Sequence, residues 1–224
     1  MKRKTLIVKS VLIVILSAFI PTLASAQTQR KQGLPIEVEL GVLRGYPVGN
    51  LSPYGLRFVD QFQSPMHIVS SEIMYKINNN HSLGVDYWGG GNIRPLNQLN
   101  SVNKQTLNYI GLGYSYSLPK EAWLARFTAS IGYVRNDHEL KGNEQEIATK
   151  AYGNGFGFSL GASASLFVTS RLSIGLKGSI NALMLGKWSG ESKDISPSSY
   201  FSNFGNKESN SVVMPMIGVV LMTR

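Results

Sequence analysis

The chain contains no cysteine. That excludes a disulfide scaffold, a thiolate zinc site, a catalytic cysteine and an acylated lipoprotein cysteine. Charge is scarce as well: Asp, Glu, Lys and Arg together make up 16% of 224 residues. So little charge rules out a disordered acidic or basic tail, a coiled coil and a Lys/Glu-rich helical bundle. Only three histidines occur, His67, His81 and His138, and no two share helical metal-ligand spacing, so neither a metal site nor a cofactor is expected. No nucleotide-binding or nucleic-acid-binding pattern is present. After residue 26 no long apolar run remains, so nothing later in the chain would stop it in an inner membrane.

The first 26 residues read as a cleaved export leader. Met1 to Lys9 carries the positive charges, Val11 to Ile20 is apolar and too short to span a bilayer, and Ala24-Ser25-Ala26 is a small-x-small cleavage site before Gln27. Lys2, Arg3, Lys4 and Lys9 leave with the leader and no acid does, so 18 cationic residues face 13 acidic ones and the formal charge falls from +9 to +5. Residues 27–35 form a short N-terminal segment, and 36–224 the domain proper.

What fills that domain is alternation. Phe156, Phe158, Leu160, Ala162, Ala164, Leu166 and Val168 are apolar at every even position, against Gly or Ser at each odd position from Gly155 to Ser165. Trp123, Ala125, Phe127, Ala129, Ile131 and Tyr133 repeat the pattern, as do Leu172, Ile174, Leu176, Ile180, Ala182 and Met184. Period two over such lengths predicts strands. A soluble sandwich would carry Lys, Glu and Thr on its polar face, whereas Gly and Ser suit the crowded interior of a small closed barrel whose apolar side meets lipid.

Strands are predicted at about 36–46, 66–77, 82–90, 105–117, 123–135, 153–168, 172–186 and 211–223. Short connectors (78–81, 118–122, 169–171) then alternate with long ones (47–65, 91–104, 136–152, 187–210), as in outer-membrane barrels with tight periplasmic turns and longer outer loops. Leu56 to Phe62 alternates loosely and is placed in the first loop, and Pro215 is read as a bulge in the last strand. From Ile36 to Arg224 the pattern resembles the small eight-stranded outer-membrane barrels, the OmpX type and the transmembrane domain of OmpA. The resemblance implies an all-β, closed, antiparallel, up-and-down transmembrane barrel in the outer membrane, set there by the barrel-insertion machinery. Such barrels commonly finish on an aromatic residue, whereas this chain ends Val219-Val220-Leu221-Met222-Thr223-Arg224.

Two groups of charged residues stand out. Glu37, Glu39, Glu72, Lys76, Asp86, Arg126 and Lys177 lie on the polar phases and are expected to pair across a narrow lumen, as a polar plug or, alternatively, a selectivity ring or proton path. Arg44, Lys104, Arg135, Lys150 and Lys187 fall near the outer ends of strands. With Tyr46, Tyr87, Trp88, Tyr133, Tyr152 and Trp188 they are expected to form one upper interface that meets lipopolysaccharide phosphates. Simple boundary charges are the plainer explanation.

Hydrolase signals are slight. Gly157-Phe158-Ser159-Leu160-Gly161 fits G-x-S-x-G, but that motif needs a sharp strand-to-helix turn and this one lies within a strand. Asp137-His138-Glu139 could pair a base with an orienting acid, yet it falls in a predicted polar loop. The expectation is a non-enzymatic barrel with a structural or surface-interaction role, whose partners are outer-membrane lipid, lipopolysaccharide and an extracellular partner met through loop residues such as Tyr200, Phe201 and Phe204. A narrow channel for ions or small solutes and a lipid A-modifying enzyme are the alternatives.

Overall fold

The computed structural model describes residues 35–49, 51, 65–96, 101–141, 147–192 and 210–223. The predicted leader, residues 27–34, Leu56 to Phe62, and Tyr200, Phe201 and Phe204 lie outside these. Strands run in chain order as β1 Ile36–Gly45, β2 Val48–Gly49, β3 Met66–Lys76, β4 His81–Leu96, β5 Ser101–Pro119, β6 Trp123–Lys141, β7 Ile147–Phe167, β8 Leu172–Ser192 and β9 Asn210–Thr223. Each pairs antiparallel with its neighbour, and β1 pairs with both β3 and β9, which closes the sheet. Beyond Tyr46 and Pro47, β2 continues β1 against β9, so the elements form eight staves.

Alternation in the sequence becomes alternation between lumen and outer wall, because successive side chains of a strand point to opposite faces. One trace of paired residues shows both the closure and the apolar belt. Val38 pairs with Ile73, then in turn come Val85, Leu112, Ile131, Phe158, Ala182 and Val213, and the line returns to the first stave at Val48. Every large side chain from Ile73 to Val48 along it is an exposed hydrophobic. The return lies ten residues above the start, which for eight staves sets a tilt of about 40° and a backbone radius of about 8 Å. A bore that narrow is filled by side chains.

The short connectors close one end. Ile77 N donates to His81 O at 2.8 Å, Lys120 N to Trp123 O at 2.8 Å, and Val168 N to Leu172 O at 2.8 Å. Asn78 Oδ1 accepts from the amides of Asn80 and His81, and Thr169 Oγ1 from those of Arg171 and Leu172. These local acceptors are what turn residues supply.

Two expectations are corrected here. The predicted connectors 91–104 and 136–152 are mostly ladder: β4 runs on to Leu96, β5 starts at Ser101, β6 reaches Lys141 and β7 starts at Ile147. Above the apolar belt the outer face no longer needs hydrocarbon side chains, so the pairing continues while the hydropathy signal stops. Pro215 makes no bulge, because β8 and β9 stay in register through Ile180 and Pro215. Its carbonyl accepts from Tyr46 N at 2.9 Å, so its absent N–H faces the β1 side, at the bend where β1 gives way to β2. Among the described residues the irregularities are at Leu140/Lys141 and Gly153/Gly155.

Candidate functional site

The lumen is stratified. All seven polar-phase charges project into it, within six residues of the short-turn end of their strands. Arg126, fully buried, lies 3.5 Å from Glu37, 4.0 Å from Glu39 and 3.9 Å from Glu72. Lys177 Nζ donates to Glu39 at 2.7 Å and to Glu72, and Lys76 lies 3.1 Å from Glu37. Three cations thus balance three carboxylates. Asp86 stands apart from them, accepting from Ser130 Oγ at 2.7 Å, and Ser130 in turn accepts from Tyr109 Oη at 2.9 Å.

Above this layer the interior is largely apolar, a feature the sequence reading did not anticipate, with buried Asn181 as a polar exception that donates to the Met214 carbonyl at 2.9 Å. Leu43, Ile68, Trp88, Leu107, Leu183 and Met214 belong to one buried cluster. Trp88 is therefore no girdle residue: it stacks on Tyr109 at 5.2 Å between ring centroids, inside the barrel. Gly157 makes room for that stack, since a Cβ there would meet the Tyr109 ring at 3.1 Å. At the mouth Gly49, with φ of 120°, turns the chain in a way other residues rarely adopt, and Leu51 drops into the cluster. The Leu51 carbonyl accepts from Asn136 Nδ2 at 3.2 Å and His138 Nε2 at 2.8 Å, and Gln105 Nε2 holds Asn136 Oδ1 at 3.2 Å. A carbonyl can only accept, so Nε2 carries the proton. His138 lies five residues beyond Tyr133, above the apolar belt, and burial pushes its imidazole down to about 4 although the Leu51 bond and Asp137 favour the charged form.

The outer-end cations do not form one level. Across β5, β6 and β7 the last apolar row is Ile110, Tyr133 and Phe156; above it follow Asn108, Arg135 and Asn154, then Thr106, Asp137 and Tyr152, then Lys104, Glu139 and Lys150. Six residues separate the first and last rows, about 15 Å at about 3.3 Å per residue and this tilt. Arg135 sits one row above the belt, and Arg44 sits between exposed Val42 and Tyr46 on the distant β1. Lys187 is exposed on β8 beside the Gly153/Gly155 irregularity, and Trp188 pairs with Gly153 there. The spread arises because shear climbs around the barrel, so equal distance from a strand end does not mean equal height.

Lys104, Arg135 and Lys150 nevertheless line one cleft of about 720 Å³ on the outer wall, together with Thr106, Asp137, Glu139, Tyr152 and Ser189. Arg135 is engaged there: Nε lies 3.0 Å from both Asp137 oxygens, Nη2 lies 2.9 Å from Oδ1, and the guanidinium sits 5.2 Å from the Tyr152 ring centroid. Lys104 and Lys150 share Glu139 at 3.4 and 3.9 Å. Ser159 of the G-x-S-x-G stretch is buried in the lumen opposite Ser130 and Asn181, whereas His67 is exposed outside and His138 caps the mouth. Among the described residues no cluster of His, Asp or Glu suits a metal.

No family model and no curated protein matches the sequence. Among solved structures, Neisserial surface protein A is similar at a TM-score of 0.57 and 13% identity, over 86% of this chain and 99% of that one. Ail, the attachment invasion locus protein of Yersinia pestis, is similar at 0.49 and 8%, over 84% and 97%, and OprG of Pseudomonas aeruginosa at 0.44 and 10%, over 86% and 96%. Closure, strand order and the first of these likenesses agree that the chain has the fold of the small eight-stranded outer-membrane β-barrels.

Proposed function

We propose that this is an integral outer-membrane protein, exported by the leader 1–26 and placed by the barrel-insertion machinery, that acts from its outer wall and extracellular end rather than through its lumen. The observation that carries the reading is the double seal of the bore: a balanced charge layer toward the short turns, and an apolar layer capped by Leu51 above it. Ions crossing it would have to break buried ion pairs and then traverse a hydrocarbon-like zone. The reading assigns the protein no reaction and no cofactor.

Its first partner on this reading is lipopolysaccharide. Arg135 stands at the edge of the apolar belt, Arg44 lies within its upper part below Tyr46 and Val48, and Lys104, Lys150 and Lys187 stand higher up, where anionic groups offer charge-assisted hydrogen bonds. The test is to quantify lipopolysaccharide retained by the purified barrel as salt is raised. Retention that falls steeply with ionic strength is expected, and a preparation from native membranes that carries none would overturn the lipid contact.

A further inference from the structure

The spacing of the rows distinguishes two kinds of anion. Lipid A phosphates are carried on the acylated sugars themselves and so lie within a few ångströms of the hydrocarbon edge. Lys150 lies about 15 Å above Phe156, the highest side chain of the last apolar row, and Lys104 about 9 Å above it, because the row climbs about 3 Å per stave toward β7, which puts both at the depth of the saccharide that follows. Arg135, one row above that edge, donates from Nε and Nη2 to the Asp137 carboxylate and lies over the Tyr152 ring, which leaves it little to offer an incoming group. The lysines differ. Their side chains are 46% and 58% exposed, and their one shared carboxylate lies at long range, 3.4 and 3.9 Å. Two ammonium groups facing a single carboxylate leave one positive charge, beside the hydroxyls of Thr106, Tyr152 and Ser189 on the same cleft wall.

We infer that this cleft over β5, β6 and β7 is a binding site for a phosphorylated saccharide, in which the Lys104 and Lys150 ammonium groups clamp one phosphate and Glu139 holds the empty site together. It rests on the lipopolysaccharide reading above and deepens it by assigning the upper lysines to the core sugars and not to lipid A. Phosphate entering between the lysines takes the place of the Glu139 carboxylate as their counter-ion, and the cleft hydroxyls meet the sugar. Glu139 therefore competes with the ligand, so its removal and the removal of the lysines act with opposite sign.

The test uses the barrel purified in micelles and titrated with delipidated, phosphorylated core oligosaccharide, with the same oligosaccharide after phosphatase treatment, and with lipid A. The phosphorylated core is expected to bind, at least about tenfold more tightly to the native protein than to K104Q/K150Q. E139Q should bind about two- to fivefold more tightly than the native protein, because a competing exposed pair is removed, and K120Q, changed in a short turn at the opposite end of the barrel, should bind the core as the native protein does. Unchanged binding after dephosphorylation or in K104Q/K150Q would overturn the site. Binding of lipid A without binding of the core would overturn it and leave the lipopolysaccharide reading standing; binding of neither would overturn both. Should K104Q/K150Q fail to fold, judged by its heat-shifted electrophoretic band, the gain in E139Q remains decisive, and no gain there contradicts the competition.

Discussion

Arg126 and Lys177 hold three carboxylates inside a bore with no room for bulk water, and each keeps the others tolerable. Arg126→Ser leaves that balance broken and should lower stability by about 3–5 kcal/mol, measured by urea unfolding in lipid vesicles. From the sequence alone the same change would also be expected to open the bore, yet the apolar layer lies above it. Arg126→Ser should therefore stay silent in planar bilayers, and steady currents from it would show that the charge layer is the sole seal. His138 gives a pH dependence of definite sign. Its imidazole is buried neutral, with the pKa lowered from 6.5 to about 4, so the folded state disfavours the proton that the unfolded chain accepts. Stability is fully present above about pH 6.5 and is lost as pH falls toward 4, by about 3 kcal/mol in all. The thermal midpoint should drop across that interval, and His138→Gln should flatten the drop; an unchanged slope in that variant would assign the effect to other groups.

Strands carry two different signals, and only one was legible. The outer wall was plain in β6, β7 and β8, where Phe127, Leu160 and Ile180 fall at steps of two opposite Gly and Ser. Leu160→Arg should accordingly cost roughly 2 to 4 kcal/mol near the middle of the apolar belt, and a neutral outcome in the same unfolding assay would place that face out of lipid. The apolar upper lumen was harder to see because it removes the alternation instead of creating it. In β9, Val212, Met214 and Met216 point inward while Val213 and Ile217 point outward, and in β8 Leu183 and Leu185 stand inward beside Ala182 and Met184. A strand apolar on both phases is itself the mark of an apolar interior, and 211–222 carried it. Strand ends were lost for the converse reason. Over 92–96, 101–105, 136–141 and 147–150 apolar side chains no longer recur at every second outward position, with Ile93 and Val102 isolated among polar neighbours, so hydropathy resembles a loop although the backbone ladder persists. Amide exchange should show these extensions protected relative to true loops, yet faster than the lipid-facing rows below them; loop-like exchange from Asn136 to Lys141 would end the ladder at the belt.

At the scale of the whole molecule the decisive quantity is shear. Ten residues around eight staves fix the tilt, the narrow bore and the climb that separates cations equally distant from their strand ends. The charge cluster could be read from sequence because inward parity alone selects it. The rim could not, because height depends on a register that only pairing reveals. A closed barrel with every ladder satisfied should migrate as a folded band in SDS until boiled, and should give an almost wholly β circular dichroism spectrum. The claim that organises the rest, however, is that the bore is sealed and the work is done outside, and single-channel recording of the native protein in planar bilayers tests it most directly. The two layers predict no steady open level at any ordinary voltage, whereas stable, ion-selective steps from the unmodified protein would contradict them.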